Sequence, residues 1–487
     1  MLVWFLPVFL VFLMIGMPVF FALLFAPGAL LWLNGQERDL ALLYRNLYNG
    51  MDSFPLMALP FFLLAGEIMN RGGITTRLVE FSQAFMGHLR GGLAHVNILS
   101  SILFAGLSGS AVADTSALGS TLIPAMEKQG YTRRFAAAIT AASSVIGPII
   151  PPSGIMIIYA YVMGQSVAAL FLAGIVPGIL VGIGLMLMVR FLADRYDLPK
   201  AERIIEKGAA ISDVEHWVSF VLLRMNLAGL FYLIAWAAGT GGLAVYLGML
   251  VPAHFLLIWY RGRVSADFRV VCKKAVAPLQ TPIIILGGIL IGVFTPTEAA
   301  AIAVLYALIV SFGVLRVITV ADLAEVLRRS AIASATVLLL VGAAVSFKTV
   351  VSLSHAPEML AEFILGLSEN PLILLFLINV LLFIVGMFLD AGPAIIILGP
   401  ILGPVFTGLG VDPVHFAIIM SVNLTVGLAT PPMGLVLFVA SSVSGERVET
   451  ISKAILPFLA VEVLVIFLIT YFPAISLTIP RLAGFAN

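Results

Sequence analysis

Oxygen-bearing side chains occur beside glycine and proline in four short segments of an otherwise apolar chain. The segments are 106–115, 147–154, 386–393 and 427–434. They include the hydroxyl groups of Ser108, Ser110 and Thr430 and the carboxyl groups of Asp114 and Asp390. Carboxyl groups in apolar membrane surroundings are functional candidates, and carbonyl and hydroxyl oxygens hold hard monovalent cations. The pattern predicts a binding site for a cation such as sodium.

Glycine and proline in these segments interrupt the helices that must position those side chains. Residues 135–189 carry no charge and would form a helix of about 80 Å, more than twice the roughly 30 Å hydrocarbon core. Backbone opened by proline must lie inside protein or line a wet cavity. We therefore predict that 106–115 and 386–393 are tips of re-entrant hairpins. The segments 147–154 and 427–434 are predicted to be unwound middles of spanning helices.

The composition excludes a soluble globular enzyme. Of 487 residues, 61% are hydrophobic and 10% are charged, against about 25% charged residues in soluble domains. The net charge of +1 shows no basic surplus for nucleic acid, and a single cysteine, Cys272, excludes an intramolecular disulfide. Long stretches without charge predict an all-α polytopic membrane protein. The first, 1–36, is interpreted as a retained helix, with a cleaved signal peptide as the alternative.

An internal repeat relates the two halves of the chain. With a shift of 280 residues, sixteen positions of the 72-residue window 106–177 are identical without a gap. Nine of the sixteen are glycine or proline, although these residues make up only 44 and 26 of the 487. The coincidence therefore falls where backbone geometry is specified. Duplicated halves with interrupted helices indicate a secondary transporter with its site at the repeat interface; a duplicated bundle without transport is the alternative.

The same geometry indicates the charge of the cargo. Half-helix N-termini carry positive dipole ends that attract an anion, while opened carbonyls take a cation. Sodium coupled to an organic anion suits this arrangement. Asn423, one helical turn before Gly427, is a further candidate for the substrate site, with simple packing as the alternative. Helix capping by Asp114 and close helix packing around Ser108 are the competing structural interpretations.

Charged stretches are short and connect the apolar segments. Segments 36–49 and 320–330 precede the repeated windows and are amphipathic. We interpret both as helices that lie along the membrane surface, with ordinary loop helices as the alternative. Segment 261–274 has five basic residues against Asp267, which favours the cytoplasmic side for this connector.

Five motifs together carry a family resemblance. They lie at 53–66, 108–114, 147–154, 292–301 and 427–434. On these residues the chain resembles the large membrane subunit of tripartite ATP-independent periplasmic (TRAP) transporters, the M subunit or DctM-like permease. The resemblance spans 1–190 and 276–475. It implies sodium-driven import of a small organic anion, such as a dicarboxylate or sugar acid. The implied partners are a small membrane subunit (Q subunit) and a periplasmic substrate-binding protein.

The resemblance also implies a fold and a site. Two inverted repeats would build a scaffold and a mobile transport domain of the elevator class in the inner membrane of a bacterium. The residues implied for one sodium site are Ser108, Ser110, Gly147 and Pro152, and for its counterpart Asp390, Gly427, Thr430 and Met433. Asp114 and Ser153 would lie near the substrate. Sodium is the only metal ion expected. No residue is expected to be catalytic.

The expected domain organisation follows the repeat. Residues 1–190 form the first repeat, with a hairpin near 92–126 and a broken helix near 135–163. Residues 276–487 form the second, with a hairpin near 370–404 and a broken helix near 413–443. The linker, 191–275, contains two extra apolar segments near 218–238 and 243–260 that depart from the family pattern. We expect them to add scaffold or to dock the small subunit.

Two other functions compete with this one. A stand-alone sodium- or proton-coupled anion permease would need no binding protein. An intramembrane aspartyl hydrolase would use Asp114 and Asp390, but neither aspartate lies in the Gly-x-Gly-Asp pattern of such enzymes. We therefore expect a transporter and not an enzyme.

Overall fold

The described part of the chain is helical, as predicted. The computed structural model describes residues 4–36, 39–199, 211–237, 239–240, 242–353, 359, 362, 366, 368 and 370–485. Helix follows helix through these ranges, and no β-sheet occurs within them. Residues 200–210 of the predicted linker lie outside the described residues.

The helices are numbered in chain order. Those before the linker are α1 (Phe5–Met14), α2 (Val19–Leu33), α3 (Leu40–Met51), α4 (Ala58–Arg71), α5 (Ile74–Met86), α6 (Gly92–Ser108), α7 (Ala111–Lys128), α8 (Arg133–Ser144), α9 (Gly154–Met163) and α10 (Val167–Arg195). Those after residue 211 are α11 (Asp213–Ala237), α12 (Leu243–Arg261), α13 (Ala266–Leu290), α14 (Pro296–Leu308), α15 (Val320–Leu353), α16 (Pro371–Phe388), α17 (Ala391–Gly408), α18 (Pro413–Gly427), α19 (Leu435–Ser444), α20 (Val448–Tyr471) and α21 (Ala474–Leu482).

Many of these helices are suited to a lipid bilayer. By length and composition, eight of the described helices could cross a membrane. The number is nine if α3 and the following helical stretch Phe54–Arg71, bent by 53°, form one span. Large apolar side chains on α12 are exposed, among them Phe255 at 64%, as expected for a surface that meets lipid. The chain is therefore a multi-pass membrane protein.

Each half contains a hairpin followed by a broken helix. Hairpin 1 is α6 and α7, joined by tip 1 at residues 109–110, and hairpin 2 is α16 and α17, joined by tip 2 at residues 389–390. Broken helix 1 is α8 and α9, interrupted at residues 145–153 (break 1). Broken helix 2 is α18 and α19, interrupted at residues 428–434 (break 2). The bonds Pro151–Pro152 and Pro431–Pro432 are cis.

The two halves pack on each other reciprocally. α7 of hairpin 1 contacts α19 of broken helix 2, and α17 of hairpin 2 contacts α9 of broken helix 1. A Cβ atom added at Gly119 would lie 3.4 Å from Val443 Cγ1, and one added at Gly399 would lie 3.5 Å from Met163 Sδ. Gly119 and Gly399 are 280 residues apart, and so are Met163 and Val443. The repeat in the sequence is thus also a repeat of tertiary contacts.

The helices beside this core differ in one respect from prediction. Segment 320–330 is not a separate surface helix, because it forms the first part of the 34-residue α15. No proline follows in 331–353, so nothing interrupts the helix. α3 packs along α15, where Gly50 meets Val345 and Gly342 meets Leu47. α15 also contacts α2, α4 and α17.

The extra apolar segments of the linker form the helices α11 and α12. They pack on each other, and α11 also packs on α13. α13 in turn contacts α5 and α14, which joins this pair to the rest of the protein. The linker is therefore an added layer on the side of α5 and α13.

Candidate functional site

A cavity of about 440 Å³, the central cavity, lies where both hairpin tips and break 1 face α2, α4 and α15. Three residues of α15 line it: Thr336, Val337 and Leu340. Apolar residues of α2 and α4, such as Phe20 and Phe62, complete that wall. The opposite wall includes Ser108, Ser110, Pro152, Asp390 and Leu428. Among the lining residues that the structure describes, Asp390 is the single charged one.

Tip 1 is a tight turn pressed against break 1. Gly109 has a φ of +58°, and a Cβ atom there would collide with the carbonyl oxygen of Pro152, so the position requires glycine. A Cβ atom added at Gly147 would lie 3.3 Å from the carbonyl carbon of Ser110. Ser110 caps α7 by accepting a hydrogen bond from the Ala113 N–H at 3.4 Å. The structure therefore brings together the first predicted sodium set: Ser108, Ser110, Gly147 and Pro152.

Tip 2 carries a carboxylate at the corresponding position. Asp390 caps α17 by accepting a hydrogen bond from the Ala391 N–H at 2.8 Å, and its side chain is exposed to the central cavity. Behind it, a Cβ atom added at Gly427 would lie 2.5 Å from Gly386 Cα. Thr430 is buried in break 2, and its hydroxyl group donates a hydrogen bond to the Val426 carbonyl oxygen at 2.9 Å. Hairpin 2 thus meets broken helix 2 through backbone in close contact.

Other predicted site residues do not line the central cavity. Asp114 is fully buried in the first turn of α7, and Ser110, not Asp114, caps this helix. Ser153 is fully buried, caps α9 and donates a hydrogen bond to the Pro148 carbonyl at 2.5 Å. Met433 is 55% exposed in break 2. Ser153 and Asp114 are therefore buried next to the helix ends, Gly154 and Ala111, that line the cavity.

Asn423 belongs to a buried network between hairpin 2 and broken helix 2. Its Nδ2 donates to Asn379 Oδ1 at 2.6 Å. In the first half, Asn97 Nδ2 donates to Thr140 at 2.6 Å, and Ser143 donates to Asn97 Oδ1 at 3.1 Å. Such polar side chains join helices within membrane proteins. Asn97 and Asn379 were not among the predicted site residues; the available signal is an asparagine in the apolar first helix of each hairpin.

A second cavity, the polar cavity, has a volume of about 760 Å³ and adjoins tip 1. Ser108 and Ser110 line both this cavity and the central cavity. Its further polar lining residues are Glu67, Asn70, Thr75, Thr76, Ser116, Ser120, Thr121, Arg329 and Ser330. Tip 1 is therefore reached from two cavities, and the polar cavity has many more polar side chains in its lining than the central cavity.

Three helix N-termini end at the central cavity. The first residues of α7, α9 and α17, which are Ala111, Gly154 and Ala391, line it. Helix N-termini offer free backbone donors and partial positive charge, which favour an anion. The described residues hold no group of three or more His, Cys, Asp and Glu that could bind a metal ion. Carbonyls, hydroxyls and the Asp390 carboxylate instead form a donor set suited to a hard monovalent cation.

Comparison with known proteins identifies the family. The sequence profile of the DctM component of tripartite ATP-independent periplasmic transporters matches residues 6–267 and 261–475. The sialic acid TRAP transporter large permease protein SiaM of Vibrio cholerae is 37% identical over 470 residues, 96% of this chain and 95% of its own. The isethionate TRAP transporter permease protein DctMQ of Oleidesulfovibrio alaskensis is 36% identical over 469 residues, 96% of this chain and 65% of its own.

A solved structure shares the fold. The chain resembles the crystal structure of the Alcanivorax borkumensis YdaH transporter, which is described as having an unusual topology. The TM-score is 0.58, with 17% identity, over 90% of this chain and 89% of that chain. At this identity the likeness concerns the fold alone.

These findings confirm the family predicted from the motifs. The profile covers both halves of the chain, and the relatives match nearly its whole length. Because these relatives are transporter permeases, the hydrolase alternative for Asp114 and Asp390 is set aside. The chain belongs to the DctM family, the large permease component of tripartite ATP-independent periplasmic transporters.

Proposed function

We propose that this permease imports a small organic anion together with sodium, and that a periplasmic binding protein delivers the anion. The proposed class is a dicarboxylate or another carboxylate such as a sugar acid. The observation that carries the proposal is the central cavity, where an oxygen-bearing tip from each half meets three helix N-termini. That combination offers neighbouring places to a cation and an anion.

Sodium is proposed to bind at both tips. At tip 1 the ligands would come from Ser108, Ser110, Gly147 and Pro152, and at tip 2 from Asp390, Gly427, Thr430 and Met433. Backbone carbonyls would supply several of these oxygens. Support comes from two close approaches: Gly109 of tip 1 meets Pro152 of break 1, and Gly386 near the end of α16 meets Gly427 at the end of α18.

The anion is proposed to bind in the central cavity beside the two ions. No lysine or arginine in the described ranges lines this cavity, so bound sodium and the N-termini of α7, α9 and α17 would offset the negative charge. Ser153 would act on the anion through the end of α9, which it caps, Asp114 from the first turn of α7, and Asn423 by holding broken helix 2 in place. The names of the two relatives cite sialic acid, a carboxylate, and isethionate, a sulfonate, which supports an organic anion as the cargo.

The transporter is proposed to be assembled from separate parts in the inner membrane of a bacterium. The family name describes a tripartite, periplasmic system, which supports a binding protein and a small membrane subunit as partners. The relative named DctMQ is longer than this chain, which covers 65% of it. Its name supports the proposal that a Q subunit associates with this permease.

The movement is proposed to be of the elevator type. Hairpins and broken helices of the two halves pack on each other and would move as one unit. α2, α4 and α15 would form the stationary wall of the central cavity. Lys348 on α15 donates a hydrogen bond to the Val162 carbonyl at the end of α9, a contact that this movement would break.

Reconstituted transport tests the proposal. Uptake of labelled succinate and of labelled sialic acid, as probes for two classes of anion, is measured in proteoliposomes with and without a sodium gradient and the binding protein. We expect uptake of at least one probe to need both. Uptake driven equally well by a potassium gradient would exclude sodium coupling. Full uptake without binding protein would favour the stand-alone permease.

A second readout does not depend on the substrate. Sodium chloride is expected to raise the melting temperature of the purified protein in detergent above that in equimolar potassium chloride, since an ion bound only to the folded state stabilises it. Identical melting temperatures in both salts, at all concentrations, would contradict the two proposed sodium sites.

A further inference from the structure

A third cavity lies in the layer added by the linker, and residues of the hairpin tips do not line it. This basic cavity, of about 670 Å³, is enclosed by α5, α11, α12 and α13. Four cationic side chains line it: Arg224, Arg261, Arg269 and Lys273. Neither the resemblance nor the proposed transport cycle gives it a role.

The cations of the basic cavity have neutral partners. Arg224 Nε donates to His254 Nδ1 at 3.0 Å, and Arg269 donates to the Arg261 carbonyl at 2.8 Å. Lys273 Nζ lies 3.2 Å from His216 Nδ1. Within the described ranges, none of the four forms an ion pair with an acidic side chain. Positive charge gathered in this way is stabilised by a bound anion.

Aromatic residues place the mouth of this cavity at the level of a membrane interface. Trp217, Trp259 and Tyr260 are exposed by 50% or more around the helix ends that bound it. Arg263 stacks on Trp259, with its Cζ atom 4.0 Å from the ring centroid. Exposed tryptophan and tyrosine are typical of the headgroup region. The basic surplus of 261–274 assigns this end to the cytoplasmic leaflet, where anionic lipids are concentrated.

The remainder of the basic cavity is apolar. Leu223 on α11, Leu257 on α12, and Val276 and Leu279 on α13 line it, together with Phe81 on α5. Leu279 lies six residues beyond Lys273, which is about 9 Å deeper along α13. A cationic mouth above an apolar wall matches a molecule with an anionic head and a hydrocarbon tail.

We propose that the basic cavity binds an anionic phospholipid of the cytoplasmic leaflet. The phosphodiester would lie among Arg261, Arg269 and Lys273, with Arg224 below it, and an acyl chain would follow the apolar wall. The lipid would hold α11 and α12 against α13. A free phosphate would use the same cations but leave the apolar wall unfilled.

Native mass spectrometry of the purified, full-length permease measures this binding. Phosphatidylglycerol and phosphatidylcholine with identical acyl chains are titrated separately, and we expect clear preference for phosphatidylglycerol. Combined substitution Arg261→Gln, Arg269→Gln and Lys273→Gln is expected to weaken phosphatidylglycerol binding about tenfold or more. Arg263→Gln is the matched control, because this residue belongs to the same basic segment but does not line the cavity.

Competition separates the lipid from a small anion. Inorganic phosphate and glycerol phosphate are added in excess over phosphatidylglycerol, and neither is expected to displace it. Displacement by phosphate alone would overturn the lipid assignment in favour of a small-anion site. Equal binding of both lipids, or an equal loss with Arg263→Gln, would overturn the proposal as a whole.

A loss of folding would not be mistaken for a loss of binding. Lys273→Arg keeps the charge and is expected to bind phosphatidylglycerol like the wild type, whereas Lys273→Gln alone is expected to bind it severalfold more weakly. Melting temperatures in phosphatidylcholine nanodiscs report folding for every variant. Undiminished phosphatidylglycerol binding by a folded triple variant would contradict the site.

Discussion

The two hairpin tips occupy equivalent places in the repeat but differ in chemistry. Ser110 and Asp390 are 280 residues apart, and each caps the second helix of its hairpin. The capping oxygen is a neutral hydroxyl at tip 1 and a carboxylate at tip 2. Both oxygens accept a hydrogen bond from a backbone N–H group that would otherwise be unpaired where the helix begins inside protein. The repeat has preserved backbone geometry while the charge of the two sites has diverged.

The surroundings of the tips differ in openness as well. Gly109 has a φ of +58°, whereas its counterpart Leu389 is extended at φ −116°. In break 1 the side chain of Ser153 is fully buried. The corresponding residue of break 2, Met433, is 55% exposed. Tip 1 is therefore the tighter, neutral site, and tip 2 the more open, charged one.

Exchanging the residues before the two caps should show the largest asymmetry. Gly109→Leu is expected to abolish uptake, because a positive φ costs an L-residue about 1–2 kcal/mol and the new side chain would collide with Pro152. Leu389→Gly is expected to retain most uptake. Uptake is measured per amount of protein that elutes as folded on gel filtration.

Gly130 provides the control for this exchange. Its φ is +93°, but a Cβ atom there would meet nothing within 4 Å. Gly130→Leu should therefore lose stability without losing uptake by the folded protein. If folded Gly130→Leu protein loses uptake as completely as Gly109→Leu, the loss in Gly109→Leu cannot be attributed to the contact between tip 1 and break 1.

Removing the charge at tip 2 should have the next largest effect. Asp390→Ser gives tip 2 the cap of tip 1 and is expected to raise the sodium concentration for half-maximal uptake about tenfold, equivalent to about 1.4 kcal/mol. Asp412→Ser is the control, since Asp412 caps α18 through Val414 and His415 and does not line the central cavity. Unchanged sodium activation in Asp390→Ser would refute its role as a ligand.

Removing the hydroxyl at tip 1 should have the smallest effect. Ser110→Ala is expected to raise the sodium concentration for half-maximal uptake by a factor of about three, less than at tip 2, because carbonyl oxygens remain. It also removes a cap, at a cost of about 1 kcal/mol in stability. Ser166→Ala removes a cap of the same kind from α10, where Ser166 accepts from the Ala169 N–H at 3.3 Å. Equal shifts in sodium activation for both variants would reduce Ser110 to a capping residue.

The positions of the breaks could be predicted because their causes are local. Proline removes a donor and glycine permits unusual backbone wherever they occur, so segments such as 147–154 and 427–434 could be located without a structure. The 280-residue repeat then related the halves, and Gly119 with Gly399 shows that this relation extends to packing. Fold class and family followed from the same residues.

Side-chain partners could not be predicted, because they depend on residues far apart in the chain. Asn423 was a candidate for the substrate site, yet it bonds to Asn379, 44 residues earlier. The cap of α7 is a different case, because Ser110 bonds to an N–H only three residues later and serine before a helix is a local signal that favours it over Asp114. The partner of Asn423 has no such signal, since a buried amide in an apolar helix has the same appearance in sequence whatever it contacts.

Three properties could be predicted from the residues alone: that the chain crosses a membrane, that it is duplicated and where its helices open. These properties depend on hydropathy and on the backbone limits of glycine and proline, which act within a few residues. Two others depend on the packing of the helices: α2, α4 and α15 form a wall of the central cavity, and cations on α11, α12 and α13 line the basic cavity. Cavities form between helices, so their lining depends on which faces pack together.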